Sequence, residues 1–206
     1  MPIEMFLRIT DVKTGKVEYF EKSHSWDIAF IQLLSLTLLF SNEATASPSV
    51  LSGVSTAPYP DNVIDTGNTG RTALHNIGQP EELDIAAPAG TVTYGLVVGT
   101  DNTVESFMDY KMGSLISHGV GLGNLQYGLV QFIFPVNVAG TVSLIVTRII
   151  SNGSGAPITV KEAGIYCKQY GIATYYFCLV RDVLGAPVTI NDGDSKLIEY
   201  ILQTVN

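Results

Sequence analysis

Charge is what this sequence has least of. Charged residues make up 15% of the 206, and 11 Lys and Arg stand against 19 Asp and Glu, a formal net charge of −8. The basic residues are scattered; Lys13, Lys16 and Lys22 form the densest group, and Glu18 and Glu21 interrupt it. A partner held through phosphates needs clustered Lys and Arg, so nucleic acid is not an expected partner. An acidic pI near 4.7 fits a solvated surface that keeps a β-rich chain soluble.

Cysteine and histidine are nearly as scarce. Two cysteines, Cys167 and Cys178, are too few for a disulfide-stapled secreted scaffold. They flank a turn near Gly171 and Ile172, which leaves two readings: a pair of small buried thiols, or a cross-strand disulfide. His24, His75 and His118 fall in three separate regions without metal-ligand spacing, and neither HExxH nor a paired CxxC occurs. No GxxxxGK[ST] and no GxSxG is present, and "GVGLGN" (119–124) misses the GxGxxG spacing. The expectation is therefore a non-enzyme with no metal and no cofactor.

Long apolar runs are missing too. Residues 28–40 are the most apolar stretch, well short of the roughly 20 residues a membrane span requires, so no membrane is expected. The opening "MPIEMFLRITDVKTGKVEYFEK" lacks a basic, apolar leader, so no signal peptide is expected.

What is abundant is strand pattern. Residues 3–10 and 16–20 flank "DVKTG" as a β-hairpin. The period then changes: "SWDIAFIQLLSLTLLFSN" has Leu-rich helical spacing, Asp27 in its first turn and no Pro or Gly inside, which predicts a helix within 22–42. Its polar stripe is thin, so nearly every face calls for burial. Trp26, Phe30, Leu34, Leu38 and Leu39, together with Tyr59 further on, become the candidate subunit contacts. From 43 to 90 the chain is rich in Ser, Thr, Pro, Gly and Asn and reads as an extended loop or arm.

Strands return at Thr91. "TVTYGLVVGT", "LQYGLVQFIFPV", "TVSLIVTRII", "PITVKEAGIYCK", "TYYFCLVRDV" and "DGDSKLIEYILQTV" follow, the first two separated by a connecting excursion. With the opening hairpin this predicts one domain, 1–206: a mainly β, antiparallel β-sandwich, jelly-roll-like, of about eight strands with one buried helix and a long irregular region. Alternation within "YGLVQFIF" puts apolar residues on both faces, so that strand should be covered on both sides, by the helix or by another subunit.

Three further signals bear on binding. "NDGDS" (191–195) offers oxygen ligands for calcium but lacks the Glu and the length of an EF-hand loop; a hairpin turn at Gly193 accounts for it. Asn152-Gly153-Ser154 matches a glycosylation sequon and reads as a turn. Tyr170, Tyr175 and Tyr176 cluster on the cysteine hairpin, where exposed rings could stack on sugars or anchor a neighbouring subunit.

The segments "DYKMGSLISHG", "VTRIISNGSGAPITVKEAGIY" and "LVRDVLGAPVTINDGDSKLIEYIL" resemble a pattern of structural proteins in tailed bacteriophage virions, and "SHSWDIAFIQLL" after the opening hairpin fits it. The resemblance consists of strand and turn chemistry and transfers no catalytic residue. It implies a virion component made in the host cytoplasm: a capsid decoration, collar or tail-associated protein. Its partners would be other copies of itself and other virion proteins, such as major capsid, portal, adaptor or tail. The alternative is a host-glycan-binding module of a tail or fibre, using Tyr170, Tyr175 and Tyr176.

Overall fold

The computed structural model describes residues 3–23, 27, 29–31, 63–71, 84–138, 140–170 and 173–204. Ten strands lie among them: β1 Ile3–Asp11, β2 Val17–Lys22, β3 Val63–Ile64, β4 Gly70–Arg71, β5 Gly95–Gly99, β6 Gln126–Val138, β7 Thr141–Ser151, β8 Ile158–Tyr170, β9 Thr174–Ile190 and β10 Ser195–Thr204. The architecture is mainly β and antiparallel, as the alternation predicts. The helix expected within 22–42 is described only at residues 29–31, which are helical; most of it, and most of the 43–90 region, lies outside the described residues.

Two unequal sheets carry the fold: five strands in the order β2-β1-β10-β7-β6, and three in the order β5-β8-β9. The last strand, β10, lies between β1 and β7, so the two ends of the chain are laced into the middle of the larger sheet. Alternation along β1 turns Met5, Leu7 and Ile9 inward, and across β10 and β7 they align with Leu202 and Leu144, Tyr200 and Val146, Ile198 and Arg148. The smaller sheet lays Leu96, Ile165 and Val180 in register as one continuous row.

Polar groups join the two sheets. Arg148, 1% exposed, reaches from β7 to the Leu96 carbonyl of β5, and the Tyr127 hydroxyl donates to the carbonyls of Val98 and Ile116. Ser23 donates to Asp182 Oδ1 at 3.0 Å, tying the end of β2 to β9. Between the sheets lies an apolar cavity of about 120 Å³ lined by Met5, Phe30, Ile85, Leu144, Leu179 and Val180, among others.

Two strand details depart from simple alternation. In β6 a register shift between Tyr127 and Val130 turns both inward, although their spacing places them on opposite faces. β9 does not stop at Val183: it continues through Gly185, Ala186 and Pro187, exposed at an irregularity opposite Val160–Glu162, and resumes pairing at Val188.

Candidate functional site

The two outer faces of the sandwich differ sharply, and each is built from readable chemistry. On the larger sheet, β6 ("QYGLVQFIFPVNV") carries no charged residue and has β7 as its one strand neighbour among the described residues. Its inward positions, Tyr127 and Val130, are buried, while Leu129, Ile133 and Phe134 are 53%, 49% and 76% exposed. The sequence predicts cover on both faces of this strand; one face packs into the sandwich, and on the other Leu129 and Ile133 are exposed, while most of the predicted helix lies outside the described residues. Register continues the apolar row across the sheet into covered positions: Ile133 faces Ile145, which is half-buried, Ile145 faces Ile201, which is buried, and Ile201 faces Phe6, whose ring stacks on Phe20 with centroids 5.5 Å apart. Two ion pairs among the described residues lie on the same face, Arg8 to Glu199 in two bonds of 2.6 and 2.9 Å and Lys22 to Glu4 at 2.7 Å. An uncharged outer strand with exposed apolar side chains is the kind of edge that can template pairing with another chain.

The smaller sheet is roofed. After β5 the chain crosses its outer face through residues 100–118, and Arg181 of β9 holds this excursion down. Its guanidinium, 3% exposed, binds Glu162 at 2.8 Å, Asp109 at 2.7 Å and Asp101 at 2.9 Å, and also donates to the Thr103 carbonyl. Burial by itself would lower the Arg181 pKa, but its bonds to Asp109 and Glu162 outweigh burial and raise it above the ordinary arginine value. Glu162, fully buried, accepts from the backbone N–H groups of Asp101, Gly113 and Ser114. Met112 N–H donates to the Tyr166 hydroxyl. The roof lies so close to the sheet that glycine is needed beneath it: a Cβ at Gly164 would stand 2.5 Å from the Val180 carbonyl oxygen and 2.8 Å from the Met112 sulfur. At the far end of this clamped loop, Val104, Phe107 and Met108 are exposed.

Arg148 shows the other way to bury an arginine. It donates to the carbonyls of Gly128, Leu96, Pro88 and Thr91, and its guanidinium lies 4.9 Å from the Tyr127 ring centroid. With no carboxylate among these contacts, burial pushes its pKa down to about 10.

The residues singled out from the sequence are placed as follows. Trp26, Leu34, Leu38, Leu39 and Tyr59 lie outside the described residues. Phe30 is half-buried against the core and lines the intersheet cavity. Cys167 and Cys178 are both free and buried, and no disulfide joins them. Register explains this: Cys167 pairs with Phe177 and Cys178 with Tyr166, so the two thiols point to opposite faces of the sheet. Tyr175 carries the Arg71 guanidinium over its ring at 4.6 Å, and Tyr176 stacks on Tyr94; both pack on the core. Tyr170 ends β8, pairing with Thr174.

The remaining motifs resolve into turns. Asn152 is buried and donates to the carbonyls of Ala156 and Ile190, while Asp192 accepts from Gly155 N–H across the same corner. His118 Nδ1 accepts the Tyr127 N–H at 3.1 Å. Among the described residues, no group of three His, Cys, Asp or Glu is arranged to hold a metal ion, and no helix is long and apolar enough to cross a membrane. Arg181, Arg148 and Glu162 were not legible as a pair of clamps. The available signal was a charge set inside an otherwise apolar strand, in "CLVRDV" and "TVKEAGIY". No family model, curated protein or solved structure matches the chain.

Proposed function

We propose that this chain is a non-enzymatic structural component of a tailed-phage virion that associates with further copies of itself or docks on capsid or tail proteins. The observation that carries the self-association is the bare apolar face of β6, an uncharged 13-residue outer strand. Such a strand offers a second copy both backbone hydrogen bonds and apolar side chains, and two β6 strands can pair antiparallel about a twofold axis. The virion setting is supported by the resemblance of the three segments quoted above.

The glycan-binding alternative draws less support, because the rings of Tyr175 and Tyr176 are already engaged by Arg71 and Tyr94. The test is the solution mass by light scattering of the wild-type chain and of Ile133→Asp/Phe134→Asp. The wild type is expected to form an oligomer and the double variant to be a folded monomer, with thermal stability within about 0.5 kcal/mol per exposed substitution. A wild-type monomer at high concentration, or an unchanged oligomer in the variant, rejects β6 as the contact.

A further inference from the structure

Asp27 is a fully buried acid with no nitrogen or oxygen donor on either carboxylate oxygen among the described residues; its hydrogen-bonding neighbour is the Cys178 thiol. The helical spacing of the sequence puts it in a first turn as a partner for the helix dipole; the structure instead buries it completely against β9. Its backbone N–H donates to the Leu179 carbonyl at 3.1 Å, and Phe30 N–H donates back to the Asp27 carbonyl at 2.9 Å. Residues 29–31 continue from there, with Ala29 buried and Phe30 in the wall of the intersheet cavity. β9 is an outer strand of its sheet, and at this point Asp27 covers it where no strand does.

The surroundings offer a negative charge little help. From β9, Cys178, Arg181 and Asp182 face the carboxyl, and from the roof, Asp109 does. Arg181, the nearby cation, is already bound to Glu162, Asp101 and Asp109. The Cys178 thiol lies beside Asp27 and offsets part of the cost, while Asp109 and Asp182 add repulsion. Next to this group stand Tyr166 and Glu162 of β8 and Tyr200 of β10, whose buried hydroxyl lies beside Asp182. Neither tyrosine supplies a cation.

We propose that Asp27 is a proton-operated latch: protonated, it docks on the edge of β9 and, with residues 29–31, seats Phe30 at the cavity; ionised, it loosens and uncovers both. The inference stands on the buried carboxyl, which has a thiol and no nitrogen or oxygen donor beside it among the described residues, and on the backbone bond to Leu179, and it does not depend on self-association through β6. In support, burial first, and then Asp109 and Asp182, push the Asp27 pKa up to about 7. The folded pKa is raised, so the docked state holds a proton that the released state does not. Docking is therefore strongest below about pH 3.9, weakens as pH climbs toward 7, and levels off above it.

The experiment is hydrogen exchange of the Asp27 and Phe30 amides in the full chain at pH 5 and pH 8, corrected for the intrinsic pH dependence of exchange. Protection at these amides is expected to fall about a hundredfold between the two pH values in the wild type, while β10 amides keep theirs. In Asp27→Asn, which is neutral at both, the change is expected to disappear. Asp109→Asn, which removes a repelling charge and leaves Asp27 able to titrate, is expected to retain a smaller change. Wild-type protection that does not vary with pH, or a fall of equal size in Asp27→Asn, overturns the latch.

Discussion

The two outer faces of this sandwich solve the same problem in opposite ways. The three-stranded sheet has a charged outer face, with Glu162 and Arg181 projecting from adjacent strands, and the chain covers it with its own excursion. The five-stranded sheet has an apolar outer face at β6 and β7, and the described chain leaves Leu129, Ile133 and Ile149 in the open. The difference follows from energetics. A buried ion needs fixed partners in fixed places, which a covalently attached loop supplies; an apolar surface accepts any well-fitting apolar partner, including a separate molecule. Preorganised charge marks the face that is finished within one chain, and the exposed apolar strand marks the face on which the proposed self-association rests.

The strongest way to break this contrast is to unpin the roof. Arg181→Met leaves Glu162 buried with its backbone donors but no cation, and leaves Asp101 and Asp109 facing each other across the gap. Removing one partner of a buried ion pair typically costs about 3–5 kcal/mol, and that loss is expected in the free energy of unfolding by urea. Adding Glu162→Gln should recover part of it, because no uncompensated ion then remains in the interior. A midpoint unchanged in the single variant would mean that Met112 and Tyr166, not the arginine, hold the excursion.

Gly164→Ala sharpens the comparison from below the roof. The added methyl collides with a backbone oxygen of β9 and with the Met112 sulfur, so the expected cost is about 1–3 kcal/mol, read from thermal unfolding. Combining it with Met112→Ala relieves the sulfur contact but not the carbonyl, and only partial recovery is expected. The matching change on the bare face, Gln131→Ala, meets solvent and should be nearly neutral.

How much of this was open to reading in the residues depends on the range of the interactions. The β6 surface was legible because it is local: apolar residues on both faces of "YGLVQFIF" announce a strand wanting two covers, whatever the topology. The hairpin of β1 and β2 and the excursion after β5 were legible for the same reason, through turn residues and period. The Arg181 clamp was not, since its carboxylates lie 19, 72 and 80 positions away and meet it only through the order of the strands. The cysteines illustrate the intermediate case: the hairpin joining them was readable, but whether they share a face turns on a single-residue register shift between Ile165 and Tyr166. The course of β9 through Gly185 to Pro187 was hidden by residues that ordinarily end a strand.

The smallest expected effect concerns acid, and it separates the faces without any change of sequence. Burial alone would raise the Asp101 pKa, but its bonds with Thr103 and Asn102 and the nearby Arg181 outweigh that and hold it below the usual carboxylate value. A depressed folded pKa means that the folded state binds fewer protons than the unfolded one, so this contribution is present above about pH 3.9 and is lost as pH falls through the lower, folded value. The amides of Gly113 and Ser114, which the roof offers to Glu162, are therefore expected to lose exchange protection in acid before those at the β6–β7 pairing, where neither strand carries a carboxylate. In Asp101→Asn the roof's acid sensitivity should shrink while β6 and β7 stay as they were. Equal loss on both faces would mean that acid acts through the sheet as a whole, and that the roof is not the separately held element its ion cluster makes it.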